Sequence, residues 1–393
     1  MISVAQALDL ALKLTAPLAL ETVPLSAAHG RFMPTSATAR RDQPPFAASA
    51  MDGYATCGAA IPGAVFDVVG EAAAGHAWQG RLAPGQALRI FTGAPVPNGA
   101  ERVVIQEDVT RNAGRITLCE SLDQSLHIRP QGADFKAGST LSPRLLRATD
   151  LALLAAMNVA QVAVTRRPVV ALIATGDELV MPGEAPRPDQ IIASNSFALK
   201  AMAESVGAVA RLLPIARDTE AGLSAVFALA QGADLIVTIG GASVGDHDLV
   251  GKVAADLGMQ RAFYKIAMRP GKPLMAGRLG DGTPMLGLPG NPVSSVVCGH
   301  LFMLPMLRAM QGFPNPAPLL HRARLAAPMP ANGPRAHYMR ARVEQGADGP
   351  LIRGFDRQDS ALLTVLADAN ALLLRPVADP SRAVGDLVDY LPI

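Results

Sequence analysis

Three glycine-rich stretches combine carboxylates or paired prolines at short spacing: Thr175-Gly176-Asp177-Glu178, Gly240-Gly241-Ala242-Ser243-Val244-Gly245-Asp246-His247-Asp248, and Pro289-Gly290-Asn291-Pro292. Each follows an apolar run, so each is expected where a strand passes into a loop. In doubly wound sheets such loops expose backbone N–H groups and helix N-termini that attract anions. Acids beside a phosphate site are electrostatically unfavourable unless a divalent cation bridges the like charges. The pattern therefore implies Mg²⁺. Asp177, Glu178, Asp246 and Asp248 could supply hard oxygen ligands, directly or through water, and Lys272 in Arg269-Pro270-Gly271-Lys272-Pro273 a compensating cation.

Singly, each stretch has a plainer explanation. Thr-Gly-Asp-Glu could be a turn with an acid near a helix N-terminus. Gly240 to Gly245 could be a tight strand-to-helix connection, and it lacks the single-residue gap of the dinucleotide fingerprint. His247 reads as a polar helix-start residue, and the other histidines have no ligand spacing. Two stretches nearer the N-terminus stand out: Ser49-Ala50-Met51-Asp52-Gly53-Tyr54-Ala55, which alone is a hairpin signal, and the rigid Thr92-Gly93-Ala94-Pro95-Val96-Pro97.

The elements that must position these residues follow from periodicity. Apolar runs at Val169 to Ala174, Ala208 to Pro214, Leu235 to Ile239 and Pro284 to Leu288 read as buried strands. Helical patterns lie at about Ser196 to Val206, Thr219 to Ala230, Leu249 to Leu257 and Val293 to Met310, which together predict an open parallel sheet covered on both faces. Before it, short Val/Ile-rich runs between about Arg40 and Gly138 read as a β domain, inserted between helices at Ser3 to Leu25 and Ala148 to Met157 that could pack together. After Pro314, Tyr338 to Glu344 and Leu351 to Gly354 flank the turn signal Asp348-Gly349, predicting a C-terminal β domain.

The 393 residues suit several domains, and 50% hydrophobic content suits a large core. A formal net charge of +2, with no Lys/Arg block, argues against nucleic acid as a partner. Cys57, Cys119 and Cys298 have neither disulfide nor zinc spacing, which fits a reducing compartment. Met1 to Leu25 does not read as a signal peptide, and Val293 to Met310, interrupted by His300, Pro305 and Arg308, reads as a buried helix rather than a membrane span.

Together the motifs resemble the molybdopterin molybdotransferase family, called MoeA in bacteria and the E domain of gephyrin in animals, over essentially the whole chain. The likeness is carried, in the family's order, by Ser49 to Ala55, Thr92 to Pro97, Thr175 to Leu179, Gly240 to Gly245 with Asp248, Arg269 to Pro273 and Gly287 to Pro292. The resemblance implies a multidomain α/β and β protein. Its parts would be an elongated helical linker domain (1–39 plus 139–167), an inserted β domain (40–138), a three-layer α/β open-sheet domain of the molybdopterin-binding, MogA-like kind (168–314), and a C-terminal β-barrel-like domain (315–393).

It further implies a cytoplasmic homodimer with a catalytic cleft between the sheet domain of one subunit and the inserted domain of its partner. Molybdate and adenylylated molybdopterin would be the substrates. AMP would leave in a Mg²⁺-dependent step and molybdenum would remain on the dithiolene sulfurs. Transient contact with the pterin-adenylylating enzyme is part of the same expectation.

By motif position, Asp52 matches an essential acid, with Thr92 and Asp134 facing the cleft beside it. Glu178, Asp218 and Asp248 match sheet-domain acids and Mg²⁺ ligands. Gly176, Gly240, Gly241, Ser243, Gly245, Lys272, Pro289, Gly290, Asn291 and Pro292 would hold the pterin nucleotide, and Arg340 and Ser360 would reach the cleft from the C-terminal domain. Arg269 stands where the family often has Lys, exchanging a point charge for a planar fork. The rival functions are a molybdopterin adenylyltransferase, which the additional domains disfavour, and a non-catalytic gephyrin-like scaffold, which the intact set of acids disfavours.

Overall fold

The structure is a computed structural model that describes residues 1–241 and 249–393; Ser243, Gly245, Asp246, His247 and Asp248 lie outside the described residues. The chain forms two compact units. One comprises Met1–Glu21, Gly30–Pro34 and Val164–Ile393, the other Thr22–His29 and Thr35–Ala163.

The first unit is built on a six-stranded sheet. Its strands are β1 (Val169–Ala174), β2 (Val209–Leu212), β3 (Leu235–Ile239), β4 (Gln260–Tyr264), β5 (Met275–Arg278) and β6 (Pro284–Leu288), in the order β2-β1-β3-β6-β5-β4. Strands β2, β1, β3 and β6 run parallel, whereas β5 and β4 add an antiparallel edge. That edge was missed in the sequence, because Gln260, Arg261 and Arg278 interrupt the apolar pattern that marks a strand buried on both faces.

Side chains alternate across the pleat. Val170, Leu172, Val237 and Leu286 enter one core with Leu199, Ala203, Val297 and Phe302, while Ala171, Ile173, Ile236 and Met285 enter the other with Leu223, Phe227, Val250 and Val253. Helices α2 (Asn195–Ser205) and α5 (Pro292–Met310) thus cover one face. Helices α3 (Glu220–Leu229) and α4 (Leu249–Asp256) cover the other, giving the three layers expected.

The N-terminal helix is shorter than its amphipathic pattern suggests. Val4–Lys13 is helical, opened by a capping box in which Ser3 Oγ accepts from the Gln6 amide at 3.2 Å and Gln6 Oε1 accepts from the Ser3 amide at 2.9 Å. Pro17 disfavours helical geometry at Ala16, and Leu20–Pro24 is extended. Ala7 and Ala11 are completely buried in the sheet core, so this helix packs there, and the helix Ala148–Ala156 stands in the other unit.

Helix α5 begins with Pro292 at its first turn, where a missing N–H is no loss. Pro305 would deprive Leu301 of its helical partner, and the helix widens there into a π turn at Gly299–Met303, with the Leu304 amide donating to the Gly299 carbonyl. The helix is long and apolar enough to cross a membrane, yet 78% of its apolar window is buried inside the protein, as a core helix should be.

In the C-terminal part, Ala336–Gly346, Gly349–Gly354, His321–Leu325, Leu387–Pro392 and Ala371–Arg375 pair in succession, and Ala371–Arg375 pairs back to Ala336–Gly346. The ring closes, which removes free edges, and Leu325, Ala341, Ile352, Leu373 and Val388 fill it. The hairpin turns at Ala347 and Asp348, with Gly349 at φ 110°.

The second unit carries a mixed six-stranded sheet in the order Arg102–Ile105, Gly53–Thr56, Gln86–Ile90, Val65–Ala72, Arg115–Leu118 and Val109–Asn112. Ala55, Leu88 and Val103 point to one face and Tyr54, Ala87 and Val104 to the other. At Gly53 the strands approach so closely that an added Cβ would lie 2.9 Å from the Val104 carbonyl carbon.

Burial in the first unit also displaces two histidines. His300 is pushed to about 4 by desolvation and by Arg308, and His337 to about 4 by desolvation and then by Arg269, Arg340, Arg375 and Arg335. Above the ordinary value of 6.5 both folded and unfolded states are neutral; below it the unfolded chain takes up protons first, so stability falls until pH passes the folded value. The buried Asp379 acts at lower pH. Despite desolvation, bonds from Arg382 and Arg375 hold it below 3.8, and its stabilisation is lost only as pH falls through that depressed value. Urea unfolding followed from pH 7 downward should therefore show a decline of at most about 1.4 kcal/mol per pH unit per buried histidine. His337→Gln should make that decline shallower, and an unchanged slope would rule out His337 as a source.

Candidate active site

Three parallel strands end at one level, with Ala174, Ile239 and Leu288 in register. The Thr175 amide donates to the Ile239 carbonyl at 3.0 Å and the Gly240 amide to the Leu288 carbonyl at 3.1 Å, so the three loops leave the sheet side by side. Between them and the 191–196 segment opens a cavity of about 550 Å³, within the usual size range for small-molecule sites. Gly176, Glu178, Asp218, Gly240, Gly241, Pro289, Gly290, Asn291 and Pro292 line it, so most of the described residues expected to bind the nucleotide meet here.

The glycines are sterically required. Gly240 and Gly241 have φ of 94° and 66°, and a Cβ on Gly240 would lie 2.8 Å from the Thr175 carbonyl oxygen. At Gly176, with φ 148°, a Cβ would sit 2.7 Å from the Glu178 carboxyl carbon. The carboxylate of Glu178 therefore folds over its own loop, and Asp218 lines the same cavity. Asp177 does not join them: its Oδ1 accepts from the Asp218 amide at 3.4 Å and lies 4.0 Å from Arg217, so it braces the neighbouring turn and is not a lining acid.

The third loop is held from both sides. Asn195 Nδ2 donates to the Gly290 carbonyl at 2.7 Å, and Ser295 Oγ donates to the Pro289 carbonyl at 2.5 Å. Asn291 Nδ2 donates to Ser360 Oγ at 3.1 Å, and the Val293 amide to the Ser360 carbonyl at 3.0 Å. Ser360 thus anchors the loop, while its neighbour Ala361 lines the cavity.

Arg340 lies behind that segment, completely buried, with Nη2 donating to the Asp359 carbonyl at 2.8 Å. Its Nε and Nη1 have no partner among the described residues. A buried guanidinium with free donors is satisfied by water or a bound anion. Lys272 is exposed and outside the lining, although Pro273 beside it lines the cavity.

In the second unit Asp52 and Thr92 form a pair, with Asp52 Oδ1 accepting from the Thr92 amide at 2.7 Å and from the Thr92 hydroxyl at 2.8 Å. These two bonds, the amide first, together with the charge of Arg89, hold the Asp52 carboxyl below the ordinary carboxylate range. Asp134 is an exposed turn residue whose amide donates to the Gln43 carbonyl at 2.9 Å.

Among the described residues no group of three or more His, Cys, Asp or Glu could hold a metal. Glu178 and Asp218 are two hard oxygen donors at the cavity, which suits an ion such as Mg²⁺ that takes one or two carboxylates and completes its shell with water and phosphate oxygens.

The sequence reading overlooked Thr175. Thr175 belongs to the cavity lining, and its hydroxyl, enclosed against Gly240 and Gly241, has no hydrogen-bond partner among the described residues. Its position ahead of Gly176-Asp177-Glu178 was visible, but nothing in the residue order distinguishes an enclosed, unpartnered hydroxyl from a capping one.

Comparison with known proteins agrees with this architecture. Residues 2–158 match the model described as the MoeA N-terminal region (domain I and II), 171–309 the probable molybdopterin binding domain, and 322–393 the MoeA C-terminal region (domain IV). A molybdopterin molybdenumtransferase of Nostoc sp. is 35% identical over 392 residues, covering 95% of this chain and 89% of the relative. Molybdopterin molybdenumtransferase 2 of Mycobacterium tuberculosis is 35% identical over 368 residues, covering 90% of each. The crystal structure of a molybdopterin biosynthesis MoeA protein from Pyrococcus horikoshii superposes with a TM-score of 0.83 at 29% identity, covering 100% of this chain and 99% of that one.

Thr175→Val removes the hydroxyl while keeping the shape. It should leave thermal stability unchanged and weaken AMP binding, read by titration calorimetry, by about tenfold, the worth of one hydrogen bond to a charged group. Equal affinity in the two proteins would remove Thr175 from the binding site.

Proposed function

The chain belongs to the MoeA family, and we propose that it is a molybdopterin molybdotransferase, inserting molybdate into adenylylated molybdopterin with release of AMP. The observation that carries this reading is the meeting of three glycine loops with Glu178 and Asp218 at one cavity. Backbone donors and carboxylates side by side suit a phosphoanhydride, whose charge must be both bound and neutralised.

Mg²⁺ held by Glu178 and Asp218 would neutralise charge on the phosphate oxygens. The amides of Gly241 and Gly290, which have no backbone partner among the described residues, and the Thr175 hydroxyl would orient those oxygens. Water adds in line to the α-phosphorus as the bond to the bridging oxygen breaks; the pterin phosphate leaves with the electron pair, takes up the water proton, and AMP departs. Molybdate then binds the two dithiolene sulfurs, one of its oxygens leaving as water with the two thiol protons.

Arg340, with two donors unpartnered among the described residues, and Lys272 would supply positive charge toward the anionic substrates. Asp52, kept ionised by Thr92, acts at the molybdate end. In this reading the enzyme is a cytoplasmic homodimer in which the Asp52–Thr92 pair of one protomer serves the cavity of its partner. Exposed Met181, Ile191, Ile192 and Phe197 offer apolar surface for the association, Ile191 and Ile192 at the cavity itself.

With adenylylated molybdopterin, Mg²⁺ and molybdate, the protein should release AMP and load molybdenum onto the pterin together; AMP release indifferent to molybdate would point to simple hydrolysis. Asp52→Ala and Glu178→Gln should each abolish insertion without unfolding the chain. Mixing and re-equilibrating the two inactive variants tests sharing across subunits. Random reassortment should restore about a quarter of native activity, because half of the dimers then hold one intact site. No recovery in exchanged heterodimers would confine each site to one chain.

A further inference from the structure

The loop bearing Asp52 and the strand end bearing Thr92 are joined by one side chain that no step of the proposed reaction uses. Arg89 Nη1 donates to the Gly53 carbonyl at 3.1 Å, immediately after Asp52, and Nη2 donates to Gln106 Oε1 at 2.7 Å. Its guanidinium carbon lies 5.1 Å from the ring centre of Tyr54 and 4.7 Å from that of Phe91, the residue preceding Thr92. The Gln106 amide donates to the Asp52 carbonyl at 3.1 Å, so through Gln106 Arg89 also reaches the backbone of Asp52 itself.

We infer that Arg89 is a positioning residue for the Asp52–Thr92 pair, fixing the Asp52 loop against the Phe91–Thr92 strand end through its planar fork and two aromatic contacts. The inference rests on the reading of Asp52 as a working carboxylate, and it adds the residue that holds that carboxylate in place.

The geometry explains why an arginine is needed. Two donors diverge from one guanidinium to Gly53 and Gln106, while its central carbon lies over the rings of Tyr54 and Phe91. Lysine could provide the charge but not both directed bonds and the flat surface. Tyr54 is buried in the β unit, so the clamp is set on a rigid base. Asp52 receives both of its bonds from Thr92 on one oxygen, Oδ1, so displacing either segment by about 1 Å would break them.

The test compares Arg89→Met, Arg89→Lys, Asp52→Ala and the double variant Arg89→Met/Asp52→Ala in the full-length protein. Two readouts are used: molybdenum insertion, and the ¹⁵N-threonine amide spectrum. Arg89→Met should lower kcat by about a hundredfold with KM little changed, as expected for a misplaced group. Arg89→Lys should recover at most about a tenth of the native kcat, because charge alone does not rebuild the fork.

In the Asp52→Ala background, Arg89→Met should leave the Thr92 resonance where Asp52→Ala alone puts it. The Thr92 amide proton, which donates to Asp52, should move upfield in Arg89→Met toward its position in Asp52→Ala. A native Thr92 resonance in both Arg89 variants, or native kcat in Arg89→Met, would overturn the inference. Should Asp52→Ala itself remain fully active, the functional reading fails, while the Thr92 resonance still decides whether Arg89 holds the pair.

Discussion

Parallel pairing of Val169–Ala174, Leu235–Ile239 and Pro284–Leu288 is the constraint on which the cavity depends. Because the strands run in the same direction and stay in register to Ala174, Ile239 and Leu288, their loops must emerge together. Two backbone bonds, Thr175 to Ile239 and Gly240 to Leu288, carry the register one residue beyond the strands. An antiparallel neighbour in the middle of this group would send one loop to the opposite end of the sheet. The antiparallel strands are at the edge, where they extend the sheet without disturbing that convergence.

Convergence brings crowding, and glycine resolves it. Left-handed backbone at Gly240 and Gly241, and the close approach at Gly176, leave no room for Cβ atoms. The space freed of side chains becomes a cavity bordered by amides, and the carboxylates of Glu178 and Asp218 stand at its lining. Donors and acids so arranged favour a ligand that carries both negative charge and a divalent counterion. The same loops alone would favour a bare phosphate, and the acids alone a bare cation.

The C-terminal barrel contributes through a single segment. Ser360 receives a bond from Asn291 and accepts from the Val293 amide, tying residues 359–361 to the loop that opens helix α5. Arg340, on the outer face of a barrel strand, supports that segment, and two of its donors have no partner among the described residues. Burying such a group without an acceptor is unfavourable for folding alone, so these donors call for water or an anion as partner. In the second unit the logic is reversed: Asp52 has its donors provided by Thr92, and Arg89 settles the backbone beneath it.

How much of this was legible in residue order depends on whether the signal is local. Strands buried on both faces announce themselves as apolar runs, so Val169–Ala174, Leu235–Ile239 and Pro284–Leu288 were read with their observed ends. Glycine and proline patterns marked the three loops, and six ordered motifs indicated the family. Edge strands with mixed side chains were not legible, because their partners lie far along the chain. The N-terminal helix was read too long, because its amphipathic period continues past Pro17 although the backbone cannot. Tertiary structure decided which acids face the cavity: Asp177 and Glu178 are adjacent and chemically alike, yet one braces Arg217 and the other lines the site. It also decided that the Thr175 hydroxyl and two Arg340 donors are buried without a partner among the described residues, and that the Arg89 fork meets Gly53 and Gln106. Those features arise from burial and from contacts between distant segments, quantities that residue order and spacing do not contain.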